Sequence, residues 1–268
     1  MSSVVERTTA RAAAAASDYG PAALFLAALV AGWEVAVRLL DIAPYILPAP
    51  SRIWDAFLRT RTTLPEHIIT TLREAVLGIA YGAAVGAGLA VALAGVPLLR
   101  RVLYPVLVTS QTIPMIVLAP ILIVWFGFGE TPKVVLVALW VFFPVTVSMT
   151  DGLLGADREL IGLVRSMGGT RRDVLRHVLI PSALPALFAG LKISATYSVA
   201  AAVIAEYMGA QSGLGLYISR SAASFRTDQM FVAIGIIATA SIALFALVHL
   251  AARLMTPWMY LEPRGGKG

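Results

Sequence analysis

The stretch Leu163-Val164-Arg165-Ser166-Met167-Gly168-Gly169-Thr170-Arg171-Arg172, followed by Val178-Leu179-Ile180-Pro181, sits inside the connection Asp151–Ala183 between two long apolar runs. Asp157 is placed to cap a first helix, in which Leu160, Ile161, Val164 and Met167 fall on one apolar stripe. Gly168-Gly169 ends that helix, because glycine takes the left-handed backbone conformation cheaply. Thr170-Arg171-Arg172-Asp173 then spells a capping box, with Asp173 reaching back to the start of a second helix. That second helix is predicted to run to Ile180 and stop at Pro181. A helix–glycine–helix hairpin with scattered arginines, set between two apolar runs, reads as a docking element for a cytoplasmic partner.

Outward from the hairpin the chain is overwhelmingly apolar. Of 268 residues, 59% are hydrophobic and 13% charged, and the mean hydropathy is +0.83. A soluble domain is roughly 45–50% apolar and about 25% charged. Soluble, disordered and coiled-coil classes are therefore poor fits, and an all-α integral membrane protein is expected. About 20 apolar residues cross a hydrocarbon core of about 30 Å. Six segments qualify: Ala22–Leu40, Leu72–Val96, Leu103–Phe126, Val134–Thr150, Leu184–Met208 and Met230–Ala252. The expected organisation is a cytoplasmic tail over 1–21, a transmembrane domain over 22–252 carrying the loop 151–183, and a cytoplasmic tail over 253–268. Met1–Ser17 is basic and alanine-rich but lacks a clear cleavage site, so the first span is read as uncleaved.

Six crossings leave both termini on one side. With the termini inside, the inner segments hold twelve arginines and lysines and the outer segments seven. That asymmetry favours cytoplasmic ends and accounts for the net charge of +6 without a nucleic-acid partner. In the outer loop, Leu47-Pro48-Ala49-Pro50 is held extended, and Ser51 is expected to cap a short helix with Ile53, Trp54, Phe57 and Leu58 on one face. Such a helix lies along the membrane surface or packs on the bundle. Gly78, Gly82, Gly86 and Ala90 form a four-residue row suited to close helix contact, within the chain or in a homodimer. The third span carries Thr109-Ser110-Gln111-Thr112 and then Pro114 and Pro120. Irregular backbone at that depth is tolerated where it faces protein or a water-filled cavity, which places Gln111 and Thr112 beside a pathway or marks a merely kinked helix.

Ionisable residues inside a bilayer are costly and tend to be functional. Lys192 and Glu206 are separated by about 21 Å of helix and fall within about 40° of one another around its axis. With Thr196, Val199 and Val203 they form a stripe that lines a translocation path or its gates; Tyr197 lies on another face. In the competing reading Lys192 snorkels to the inner interface and Glu206 caps the outer end. Glu34 and Arg38 are spaced for a structural ion pair. Zero cysteines, three scattered histidines and the lack of paired carboxylates give no catalytic triad or metal cluster. No GxxxxGK[ST] phosphate loop occurs, so the chain is not itself an ATPase.

The hairpin resembles the EAA loop of ABC-importer permeases: the spacing from Gly168 to Pro181 fits, while Gly162-Leu163-Val164 stands where the family has Glu-Ala-Ala. Most of the chain resembles the subfamily that serves nitrate, sulfonate, taurine and pyrimidine precursors. Leu47-Pro48-Ala49-Pro50-Ser51, Ile113-Pro114, Leu118-Ala119-Pro120, Trp125-Phe126-Gly127-Phe128-Gly129 and Pro132-Lys133 carry that likeness. Phe142-Phe143-Pro144, Thr150-Asp151-Gly152-Leu153 and the run from Gly190 to Val199, continuing to Glu206, are similar to the thiamine-pyrimidine-precursor and riboflavin branch.

The resemblance implies a type I ABC-importer permease fold with a cytoplasmic coupling helix, in a bacterial inner membrane. It implies two cytoplasmic ATPase subunits that bind ATP and Mg, a second permease copy (identical or related) and an extracytoplasmic binding protein, with no cofactor on this chain. Glu159, Leu160, Val164, Arg165, Met167, Gly168, Gly169, Arg171 and Arg172 would then couple to the ATPase. Sulfonate, taurine or nitrate is the alternative cargo. A channel, secondary transporter or membrane enzyme is the alternative class, and neither an inverted repeat nor an acid–base cluster supports it.

Overall fold

The computed structural model describes the backbone of residues 2–259 and the side chains of residues 20–259 except Ala23. Arg264 and Lys267 lie outside the described residues, as do the side chains of Arg7 and Arg11. Eleven α-helices are present among the described residues: α1 (Ser2–Leu39), α2 (Pro50–Thr60), α3 (Leu64–Gly95), α4 (Pro97–Ser110), α5 (Met115–Phe126), α6 (Thr131–Leu154), α7 (Arg158–Ser166), α8 (Arg171–Val174), α9 (Ile180–Glu206), α10 (Leu214–Ala223) and α11 (Thr227–Met255). Among the described residues five helices are long and apolar enough to cross a membrane, and the bent pair α4–α5 makes six if it is one span.

The chain divides into two compact units, Met1–Thr62 with Ser221–Val232, and Thr63–Arg220 with Ala233–Gly268. In the smaller unit Glu34 accepts from the Ser51 amide at 3.0 Å and from its hydroxyl at 2.8 Å. Ser51 was expected to cap α2. Instead the N-cap is Ala49 with no side-chain cap, and the Glu34 carboxylate takes the free amide at that helix start. Arg38 donates to Glu34 at 2.6 Å, so the expected i,i+4 pair is also the clamp on α2.

In the larger unit, α3, α6 and α9 pack around Ala75, Val137, Val141, Val145, Ala195 and Val199, all fully buried. The glycine row makes the closest contact. A Cβ on Gly82 would lie 2.5 Å from the Ala138 carbonyl oxygen, one on Gly86 2.9 Å from that of Phe142, and one on Gly78 would overlap Val137. Small residues replace the hydrophobic drive that lipid cannot supply between helices. The row is thus used within the chain, against α6.

Two helix boundaries differ from expectation. The predicted continuous span Leu103–Phe126 is broken into α4 and α5, which meet at 100°. Pro114, in extended conformation, is the N-cap of α5. Just before it, Ser110 and Thr112 turn their hydroxyls back onto the carbonyls of Leu107 and Thr109. The Ser110 carbonyl, which an amide at position 114 would have bonded in a continuous helix, instead accepts from the Ile113 amide at 3.3 Å. The second hairpin helix also does not stop at Pro181. A π-turn over Leu175–Leu179, with the Ile180 amide bonded to the Leu175 carbonyl, carries α8 straight into α9. The wider turn redistributes the bonds around a proline that has no amide to give.

Candidate functional site

The first site is the hairpin. Asp157 accepts from the Glu159 amide at 2.8 Å and starts α7. Gly168 has φ +82°, and Gly169 packs so closely on Val164 that a Cβ would sit 2.6 Å from its Cγ1. Each glycine therefore has its own reason. Thr170 and Asp173 complete the capping box, with bonds of 2.8 Å and 3.3 Å exchanged between backbone and side chain. The Asp157 cap at one end, and the Gly168 and Gly169 amides on the Arg165 and Val164 carbonyls at the other, close α7 although none of its residues is buried. Leu160, Leu163 and Met167 are exposed, Met167 by 79%, while Ile161 and Val164 are half-buried. Glu159, Arg165, Arg171 and Arg172 are exposed around them. Such a helix offers an apolar ridge with a charged rim, a composition suited to a protein groove.

The second site lies at the other end of α9, about 40 Å of helix away. Glu206, from the last turn of α9, is 1% exposed; Glu74 of α3 is 1% and Lys133 of α6 is 8%. Lys133 Nζ is 3.1 Å from Glu74 Oε1. Glu206 accepts from the Thr71 hydroxyl at 2.6 Å and from the Gly215 amide at 2.5 Å. The Leu214 amide donates to Thr71 at 2.9 Å and the Gly213 amide to His67 Nδ1 at 3.0 Å. Three consecutive amides at the start of α10 are thus capped by side chains of α3 and α9, where a helix leaves donors free and favours negative charge. Gly213, at φ +124°, and Gly215 leave room for the Glu206 carboxyl.

A cavity of about 440 Å³ opens beside this centre, lined among others by Thr70, Glu74, Phe128, Lys133, Gln211 and Ser212. At its rim Arg73 makes a two-pronged ion pair with Glu130.

The predicted path residues do not share one environment. Lys192 is half-buried and Thr196 and Tyr197 are exposed, whereas Val199, Val203 and Glu206 are buried. Gln111 and Thr112 are exposed at the α4–α5 break. Sequence reasoning missed Glu74, Lys133, Thr71 and His67. Glu74 carries a signal, an acidic residue within an apolar span; Lys133 falls just before the apolar run Val134–Thr150 and so reads as part of the preceding outer connection.

The described helices thus form an apolar bundle with an exposed amphipathic hairpin before α9 and a buried charge centre at the far end of α9. The chain belongs to the family of binding-protein-dependent transport system inner membrane components, which matches residues 84–259. It is 34% identical over 236 residues to the formylaminopyrimidine transport permease ThiX of Halalkalibacterium halodurans, covering 88% of this chain and 94% of that one. It is 34% identical over 234 residues to the riboflavin transport system permease RibX of Chloroflexus aurantiacus, covering 86% and 87%. To the taurine transport system permease TauC of Escherichia coli it is 29% identical over 240 residues, covering 87% of each. The fold is similar to that of the inward-facing MetNI methionine ABC transporter, with a TM-score of 0.66 at 21% identity over 74% of this chain and 98% of that one. The chain is an ABC-importer permease.

Proposed function

We propose that this permease is driven by two separate cytoplasmic ATPase subunits seated on α7. They move a small polar cargo delivered by an extracytoplasmic binding protein through a pore made with a second permease copy. The observation that carries the reading is the exposed ridge of Leu160, Leu163 and Met167 on a helix whose ends are locally capped. Glu159, Arg165, Arg171 and Arg172 form its charged rim, and Val164, Gly168 and Gly169 hold its shape. ATP and Mg²⁺ belong to the ATPase partner. Both termini face the cytoplasm of a bacterial cell, in keeping with the arginine census. Rocking of the paired permeases on nucleotide closure opens the path to one side and then the other. Lys192, Thr196 and Tyr197, with Gln111 and Thr112, are the polar groups left open along it.

The cargo is an aminopyrimidine or a flavin-like heterocycle, on the strength of the ThiX and RibX likeness over most of the chain. The second reading, a sulfonate or taurine, is favoured by the likeness to TauC. Proteoliposomes holding the permease, its ATPase and its binding protein decide between them. ATP-dependent uptake of a labelled aminopyrimidine or flavin is expected; uptake of taurine alone would establish the second reading, and uptake without the ATPase would refute both.

A further inference from the structure

A second cavity, of about 350 Å³, opens between the first half of α4 and the end of α6. Its wall carries Arg100, Arg101 and Tyr104 from α4 and Asp151 and Leu154 from α6. Among the described residues neither arginine side chain, nor that of Asp151, makes a hydrogen bond or ion pair. Arg38, Arg59 and Arg73, by contrast, each reach a carboxylate. Two guanidiniums therefore share this wall with one carboxylate, which leaves one positive charge in excess. A guanidinium stays charged and offers five donors in a flat fork that matches phosphate. An oxyanion bearing a single negative charge would balance the wall and take donors that no acceptor of the chain occupies.

The place of the cavity in the fold selects the carrier of that charge. From Leu154 the chain passes through residues 155–157 into α7, so the cavity lies at the hairpin end of α6. In the transport reading above, on which this placement rests, that is the cytoplasmic end of the bundle. No residue of α4 is buried, and Val102 and Val106, four residues apart on one helix face, are 57% and 59% exposed. The arginines thus stand beside an apolar face that acyl chains cover. Basic pockets between membrane helices at the cytoplasmic side suit anionic headgroups, and Tyr104 adds a ring of the amphipathic kind found at headgroup level.

We propose that this cavity binds an anionic phospholipid of the inner leaflet. Arg100 and Arg101 grip its phosphate, and an acyl chain lies along Val102 and Val106.

The test is equilibrium binding of phosphatidylglycerol and phosphatidylcholine, each with a fluorescent tail, to the delipidated full-length chain in detergent. Both lipids carry the phosphodiester, but only phosphatidylglycerol has the net negative charge that the wall lacks. It is expected to bind saturably and at least tenfold more tightly. Arg100→Gln with Arg101→Gln should bring the two lipids within twofold of each other. Arg172→Gln with Arg253→Gln removes the same charge elsewhere and should keep the tenfold preference. Arg100→Lys with Arg101→Lys retains the charge without the flat fork, so the preference should survive at an affinity at least threefold lower. This variant carries the test if the glutamine pair fails to fold. Equal binding of both lipids by wild type, the same loss from either glutamine pair, or unchanged affinity in the lysine pair would overturn the site. Displacement of the lipid by an equal concentration of glycerol 3-phosphate would mark a soluble-anion site and overturn the lipid assignment. Binding in detergent needs neither ATPase nor cargo, so a lack of ATP-driven uptake would refute the transport reading alone.

Discussion

Lys133 illustrates how much depends on single side chains here. It is buried against Glu74, and removing one partner of a buried pair leaves the other charge uncompensated, at a cost of about 3–5 kcal/mol. Lys133→Met is therefore expected to lower thermal stability in detergent sharply, and Lys133→Met with Glu74→Leu to recover most of the loss. Equal destabilisation in single and double variants would show that the pair does not interact. Glu206→Ala leaves the Thr71 hydroxyl and Gly215 amide without their acceptor and should cost roughly 1–3 kcal/mol by the same measurement. Sequence singled out Glu206 by its depth in an apolar run but assigned Lys133 to a loop. The reason is local: Pro132 sits in the first turn of α6, so the helix already begins at Thr131 and includes Lys133. A charge census by position cannot see which way such a first-turn side chain points.

Among the elements, the α3–α6 contact and the hairpin were legible because their determinants are short-range. The glycine row repeats at helical spacing, and the caps at Asp157 and Thr170 involve residues two and three positions away. The α4–α5 break and the π-turn before Pro181 were not. A proline removes one donor, but whether the helix breaks or widens depends on which neighbours satisfy the freed groups. At the break the Ile113 amide takes the freed Ser110 carbonyl; a five-residue turn takes up the bonds at the hairpin exit. Gly82→Ala forces α3 and α6 apart and should destabilise by about 1–3 kcal/mol, read as a lowered unfolding temperature. Asp157→Ala removes the cap of α7 and should raise amide hydrogen exchange in that helix, corresponding to about 0.5–2 kcal/mol. Unchanged exchange there would mean that α7 is held by contacts other than its cap.

For the molecule as a whole, composition pointed to a helical membrane protein and the apolar runs to six spans, and the described residues agree if the bent pair counts as one span. The buried centre was less legible, because α3, α6 and α9 meet there from distant parts of the sequence. The cysteine-free sequence makes sidedness directly measurable, since any introduced thiol is the only one present. Met167→Cys should react with an impermeant maleimide only from the cytoplasmic face, and Trp54→Cys only from the outer face. The central claim is that work enters this bundle through α7. It is tested most directly by purifying the tagged chain from its native membrane and asking whether an ATP-hydrolysing subunit accompanies it. Wild type should retain that subunit, and Leu163→Glu with Met167→Glu should lose it while the permease itself stays folded. Retention of the ATPase by the doubly charged helix, or no ATPase with wild type, would contradict the account.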